Sequence, residues 1–454
     1  MSKPIGLVAT LLLLACGGGG EGTPAAGAGP AWGSPLLLDE RADLTSGALA
    51  GDGAGAALAV WRRRVLDARG REIFQQVAAR VGADGTWQAE GEVGRSEAGD
   101  ALGVPVAAVA ADGRGWLMWL TEYPGGGTPS TELTGARVDL RAATPVASPQ
   151  KAFLFPFGGC ADLKLAVDGA GGARTAWTYP GAGSGASGVP LVGSARFATA
   201  GVWEGPVIPG GNAGAGMGLQ GLVGDGKGGT VVEQYRANDQ PMGEAWDFAA
   251  GGAATAVAGW EPTVQSGLAS HTTAWAADGQ GGVEAWLVYA NPGAGTPFRQ
   301  AWPRRRSAAG AWTVGGAVDL PRPAEQLGVF RDADGRGWMA GAGAEGLWTA
   351  PLTGMTPGAA RLLLPAPAEA SELVAVRDAA GRPALLWIQR RAGASEGIGF
   401  SRLEAGTWTE PTLLPGTAGT LLQHLSATAG PGGLVATWEA AGGPGKRLQA
   451  ALWR

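Results

Sequence analysis

The chain has 454 residues and a formal net charge of −5, with 34 Lys and Arg against 39 Asp and Glu, so it lacks the basic surplus that a nucleic-acid partner demands. Two Cys cannot build a disulfide framework and two His leave little for histidine-based metal sites or catalysis, so no cofactor and no metal is expected. The 82 Gly and 30 Pro approach low-complexity composition, but 19 Trp argue for a buried core, because a disordered chain has no use for that much indole surface.

At the amino terminus, Lys3 precedes an apolar run from Ile5 to Ala15. That run is too short to span roughly 30 Å of hydrocarbon as a helix, but it has the length of a signal-peptide core. It ends in Leu13-Leu14-Ala15-Cys16, which resembles the bacterial lipobox, where the signal is cut before a Cys that receives lipid. The resemblance implies a signal peptide over 1–15 and lipidation of Cys16, although Leu14 fills a slot that more often holds a smaller residue. The alternative is an ordinary secretory signal with Cys16 incidental. Residues 16–30, rich in Gly from Gly17 to Gly20, cannot form a core and read as a flexible tether spanning roughly 20 Å. Gly rather than Asp after Cys16 implies, by the same resemblance, an outer-membrane address. No later stretch reaches 18 uninterrupted apolar residues, so no transmembrane helix is expected. Cys160 then stands alone and reads as a buried, inert thiol.

From residue 31 onward the chain is self-similar. An Asp-containing turn leads into a run of small and apolar residues that often ends in Trp: Asp52 to Trp61, Asp168 to Trp177, Asp278 to Trp286. Asp112, Asp225, Asp334 and Asp378 open further copies, and Ala429 leading to Trp438 is a degenerate eighth. The spacing, between 44 and 60 residues, marks an array of four-stranded units rather than unrelated domains. In one unit, strands are predicted at Glu372–Arg377, Pro383–Gln389, Ile398–Leu403 and around Gly406–Leu414. Pro411 suits an edge strand there, and no long segment shows a helical period. A second strand apolar on both faces belongs inside a radial stack, which points to an all-β propeller of eight four-stranded blades over 31–454. Seven blades is the alternative, with the short unit at 328–364 as the doubtful member. The last unit holds three strands, ending at Leu448–Trp453, while Ala31–Leu38 matches a fourth-strand pattern with no strands before it. The amino-terminal strand is therefore expected to complete the carboxy-terminal blade, a closure that resembles that of many β-propellers.

The repeat resembles those of bacterial propeller lipoproteins, with an Asp-x-x-Gly turn before a small-apolar strand ending in Trp. The Asp-box of sialidases is loosely similar, but its two-residue Asp-to-Gly spacing is absent at Asp112–Gly115 and Asp225–Gly228, and no Ser precedes. Asp332 and Asp334 fall short of a calcium loop and read as turn residues. His271 and His424 lie three blades apart and make a poor metal pair. Arg62–Arg64 and Arg304–Arg306 read as solvated loop or edge residues, with contact to anionic lipid or polysaccharide as the sharper alternative.

Tyr123, Tyr179, Tyr235 and Tyr289, the four tyrosines of the chain, each lie seven or eight residues after a turn Gly, where a second strand gives way to a loop. They are the candidate ligand-binding residues: an aromatic sector over blades 2 to 5, suited to sugars or extended peptides, unless each ring simply packs against a neighbouring blade. No catalytic set stands out, since Glu122, Asp162 and Asp239 are scattered. The expected function is a membrane-anchored, non-catalytic scaffold of the cell envelope that binds a carbohydrate or protein ligand. The alternative is a propeller-fold glycosidase or lyase acting on extracellular polysaccharide.

Overall fold

The computed structural model describes residues 31–454 apart from 42–44, 83, 125–128, 156–157, 168–171, 181–189, 198–202, 208–215, 238–241, 250–253, 261–269, 279, 291–296, 333 and 443–444. Its strands form eight antiparallel sheets, and no helix occurs among the described residues. Blade 1 runs over Thr45–Arg95, blade 2 over Ala101–Phe155, blade 3 over Ala161–Val207 and blade 4 over Gly216–Ala256. Blade 5 covers Ser270–Ala324, blade 6 Gln326–Pro365, blade 7 Ala368–Leu413, and blade 8 Leu421–Trp453. The first strand of each blade touches the first strands of both neighbours, and Thr45–Gly51 of blade 1 meets Leu421–Gly430 of blade 8. The sheets therefore close into a ring, an eight-bladed β-propeller. The unit doubted in the sequence is a complete blade 6, so the count is not seven.

The ring is closed by the chain's own beginning. Leu36–Arg41 lies antiparallel to the third strand of blade 8, with Leu36 opposite Ala450 and Arg41 opposite Lys446. Gly33 N–H donates to Leu452 O at 2.8 Å, and Trp32 bridges to Trp453. Asp39, nearly buried, then accepts the indole N–H of Trp61 at 2.8 Å and so ties this outer strand to blade 1. Asp39 is polar in a strand otherwise led by Leu because it has this donor to meet.

The turns follow from short-range chemistry. The carboxylate of Asp225 accepts N–H groups from Lys227 and Gly229 at 2.7 and 2.9 Å, and Asp278 does the same for Gln280 and Gly282. Asp52 and Asp378 repeat the pattern, so these are hydrogen-bonded Asx turns. Two of the expected turn residues are displaced. In blade 6 the acceptor is Asp332, holding the N–H groups of Asp334 and Arg336, and in blade 2 the equivalent position is Ala110, not Asp112. Gly and Ala crowd these segments, so the Asp-x-x-Gly spacing recurs two residues out of frame. Asp168 lies outside the described residues.

In blades 3 and 7 the second strand carries a fully buried Trp, and a glycine on the adjacent strand makes room for it. Gly193 pairs with Trp177 and Gly399 with Trp387. A Cβ on Gly399 would sit 2.1 Å from the Trp387 ring. In blade 6 the pair is exchanged: Trp348 stands on the third strand and Gly341 on the second, whose own Trp338 is only half-buried. Gly399→Ala is expected to cost about 2–3 kcal/mol by overpacking. Gly406→Ala, at a positive φ facing open space, should cost only about 1 kcal/mol. Urea midpoints of the two variants check this ranking; equal midpoints would contradict the packing account.

The apolar core is divided among the clefts between blades. Leu58, Leu117 and Trp119 pack between blades 1 and 2, Trp116, Trp177 and Phe197 between 2 and 3, and Ile388, Leu434 and Trp438 between 7 and 8. The arginine runs divide: Arg304 and Arg306 belong to this packing, whereas Arg305 is exposed and Arg64 half-exposed at the edge. Arg304 is 1% exposed and donates to the carbonyls of Trp260 and Gly315, while Arg306 joins Asp225 and Asp247 of blade 4. Arg63 reaches Asp39 at 3.4 Å, and Arg64 pairs with Glu72.

Candidate functional site

The second-to-third-strand loops share one face of the ring with the connections between blades. The loops proposed to carry ligand contacts fall largely at 125–128, 181–189 and 291–296, outside the described residues. Tyr179 is 9% exposed and packs among Trp116, Met118 and Phe197 between blades 2 and 3, where burial pushes its phenol pKa up. Tyr289 is 6% exposed and meets Trp302 edge-on at 5.3 Å. Both rings serve interblade packing. Tyr235 sits on the second strand of blade 4 opposite Gly218, and its side chain is not among those described. Tyr123 alone of the described tyrosine side chains lines an open groove. The four do not share one repeat slot: Tyr123 follows Ala110, which opens its turn, by thirteen residues, whereas Tyr235 follows Asp225 by ten and Tyr289 follows Asp278 by eleven.

The groove holding Tyr123 has a volume of about 770 Å³ and lies between blades 1 and 2. Four stretches of chain build it. The connection leaving blade 1 supplies Ser96, Glu97 and Asp100, and the end of the second strand of blade 2 supplies Trp119, Thr121 and Tyr123. The third strand adds Ser130, Glu132 and Thr134, and the fourth adds Lys151 and Leu154. The backbone at Gly94 approaches Trp119 so closely that a Cβ there would lie 2.6 Å from the indole. Ser96 fixes the connection, its hydroxyl accepting Phe74 N–H at 2.9 Å.

Glu132 is 6% exposed and organises the far wall. It accepts from Lys151 Nζ at 2.7 Å and from the Thr134 hydroxyl at 3.0 Å. Burial, then the charge of Glu132 to which its hydroxyl is bonded, raises the Tyr123 phenol pKa, and Lys151 offsets part of this. The hydrogen bond to Glu132 in turn holds Lys151 protonated above its ordinary range. On the near wall burial pushes the Asp100 carboxyl up, with Glu97 adding like-charge repulsion. The groove thus offers an aromatic face, hydroxyls and a carboxylate-rich rim. Sequence reading passed over Thr121, Glu132 and Lys151. The available signal was a polar run, Thr121-Glu122-Tyr123 facing Ser130-Thr131-Glu132, at the end of an otherwise apolar hairpin.

The remaining candidates are dispersed. Glu122 accepts the N–H of Gly159 at 2.8 Å, and Asp162 accepts the Thr178 hydroxyl at 3.1 Å. Asp239 lies outside the described residues, as does the side chain of His271. His424, on the first strand of blade 8, has its Nδ1 3.1 Å from the buried carboxylate of Glu439 on the second. Among the described residues no group of three metal-ligating side chains converges. Burial pushes the Cys160 thiol up to about 11, which leaves it a poor nucleophile near neutrality. Cavities of about 440 and 420 Å³ flank Arg306, but their charges pair internally: Glu284 with Arg331, and Arg306 with Asp225 and Asp247. Cys16 lies outside the described residues.

No family model matches the sequence, and no curated protein matches it. Solved structures do. A Dyadobacter fermentans protein of unknown function is 13% identical, with TM-score 0.41 over 78% of this chain and 95% of its own. An acylaminoacyl peptidase from Pyrococcus horikoshii is 9% identical with TM-score 0.44, over 88% of this chain and 57% of its own. A Trypanosoma rangeli sialidase in complex with sialic acid is 10% identical with TM-score 0.41, over 89% of this chain and 59% of its own. This chain therefore spans little more than half the length of those two enzymes. Identities near one in ten carry no activity across.

Proposed function

We propose that this chain is a lipid-anchored protein of the bacterial outer membrane whose propeller binds an extracytoplasmic ligand, a carbohydrate or a peptide, without transforming it. The groove between blades 1 and 2 carries the reading. It combines an aromatic wall at Tyr123 and Trp119 with hydroxyls and carboxylates, the mixture that recognises a ligand with both a flat apolar face and polar edges. The lipobox resemblance at Leu13–Cys16 supports the anchor, and the Gly-rich stretch after it supports a tether.

A glycan and peptide array on the protein, with and without Tyr123→Ala, tests the binding role. Tyr123→Ala is expected to weaken the selected ligand at least tenfold, and Cys16→Ser to move the protein out of the membrane fraction. Unchanged binding by Tyr123→Ala would remove the groove from the proposal. A hydrolytic role on polysaccharide would rest on the same carboxylates, with the raised Asp100 as acid. Turnover abolished by Asp100→Asn would favour it over simple binding.

A further inference from the structure

The outer flank of the ring where blades 7 and 8 meet is apolar. Leu36 and Leu37, on the strand that closes blade 8, are 44% and 46% exposed, and Leu413, on the outer strand of blade 7, is 45% exposed. The two stretches adjoin. Pro35 lies so close to Gly416 that a Cβ there would stand 3.3 Å from its ring, and Trp32 packs edge-on against Phe400 of blade 7. Neither 31–38 nor 411–420 holds a charged residue. Beside these stretches charge returns as exposed ion pairs, Arg447 with Glu40 and Arg361 with Glu410. A second observation concerns what lies next to the flank. Residues 16–30, which read as a tether from an acylated Cys16, run directly into it at Ala31.

From these features we infer that the flank carrying Leu36, Leu37 and Leu413 rests on the bilayer to which Cys16 is anchored, with the leucines at the boundary between headgroups and acyl chains. The inference deepens the anchor reading and rests on it. Three exposed leucines alone bind a lipid surface weakly. A tether spanning roughly 20 Å changes that, because it holds the flank beside the bilayer at an effective concentration of about millimolar. Burying leucine surface in the lipid then adds to the anchor as a second signal, at little further cost of encounter. The paired charges suit the same layer, since a neutral pair meets zwitterionic headgroups without leaving an unbalanced charge. The outer edge of Leu36–Arg41 suits it too, because its outward backbone groups stay among wet headgroups rather than in hydrocarbon. A second copy of the chain would pair with that edge, but the tether places a lipid surface, not another protein, beside it at all times.

The test uses Leu37→Cys, Leu413→Cys and Lys227→Cys in the full-length lipidated protein, each labelled with an environment-sensitive nitrobenzoxadiazole dye and reconstituted into phosphatidylcholine vesicles. The dye reaches only the new thiol, because Cys160 is buried and an acylated Cys16 is blocked; wild type taken through the same labelling gives the background. Lys227 is exposed on blade 4, across the ring from blade 8. The dyes at positions 37 and 413 are expected to shift to the blue and to be quenched by lipids brominated in the acyl chain, whereas the dye at 227 reports water. L36S/L413S with the dye at position 37 is expected to lose both signals while staying in the membrane fraction, its wild-type urea midpoint showing that the fold is kept. Water-like emission at all three positions overturns the inference, and the anchor reading survives it where Cys16→Ser still releases the protein. If Cys16→Ser stays in the membrane fraction, the anchor reading fails instead, and the dye pattern still decides whether the flank meets lipid. A blue shift without quenching by brominated lipid means that a second copy covers the flank, and overturns the lipid assignment.

Discussion

Deleting residues 1–41 is expected to destabilise the propeller by roughly 5 kcal/mol or more relative to a protein lacking only residues 1–30. Leu36–Arg41 pairs with the third strand of blade 8 in five register positions, each worth about 1 kcal/mol net once exchange with water is counted. The deletion also removes Trp32, which meets Phe400 edge-on at 5.3 Å, and Asp39, the acceptor of the Trp61 indole. Leu448 and Trp453, buried in the closed ring, would then border an open edge able to pair with another chain. The expected readouts are a lower urea midpoint and aggregation on warming. Partial recovery by a synthetic peptide of residues 31–41 would show that the missing strand is the cause. Matching midpoints for the two truncations would mean that blade 8 stands without its outer strand.

The circular architecture was legible in the sequence because its determinants are local and repeated. A carboxylate that caps its own turn recurs at Asp52, Asp225, Asp278 and Asp378, and a buried Trp follows on the next strand at Trp61, Trp286 and Trp387. What escaped depends on neighbours distant in the chain. Asp112 and Asp334 passed for turn openers because Gly and Ala recur on both sides of them, and only the backbone pairing marks Ala110 and Asp332 as the true openers. Blade 6 looked defective because Trp348 and Gly341 exchange strands, which keeps the packing and loses the motif. The first strands of blades 3, 7 and 8 carry an extra residue opposite the buried Trp, with Asp162, Glu372 and His424 at positive φ. Side chains of the preceding blade meet N–H groups freed there: Gln326 accepts from Leu373 and Glu372 from Leu425, at 2.7 and 2.8 Å. The groove was equally out of sight: Thr121, Glu132 and Lys151 meet across three strands of blade 2, and Gly94, Ser96 and Glu97 join them only when blade 1 stacks against it. Tyr123 was found for its type and its place beside a loop, while Tyr179 and Tyr289 share both and are consumed by packing.

Arg306→Met is expected to cost about 3–5 kcal/mol, far more than its methylenes contribute. The side chain is 8% exposed and holds blades 4 and 5 together. Its Nε donates to Asp247 at 2.6 Å, and its Nη1 donates to Asp225 at 2.9 Å and to Gly281 O at 2.8 Å. Met fills similar volume but leaves the two largely buried carboxylates without a cation, and that uncompensated charge dominates the loss. Asp247 keeps the Trp312 indole and Asp225 keeps its turn N–H groups, so neither acid can simply swing into solvent without breaking a second bond. R306M/D225N/D247N is therefore expected to recover a large part of the loss, because its buried groups are neutral. Arg306→Lys should fall between wild type and Met, since one ammonium cannot reproduce the two-sided fork. Denaturant midpoints of the four proteins form the test. A triple variant no more stable than Arg306→Met would mean that shape, rather than paired charge, makes this arginine necessary at the interface between the two blades.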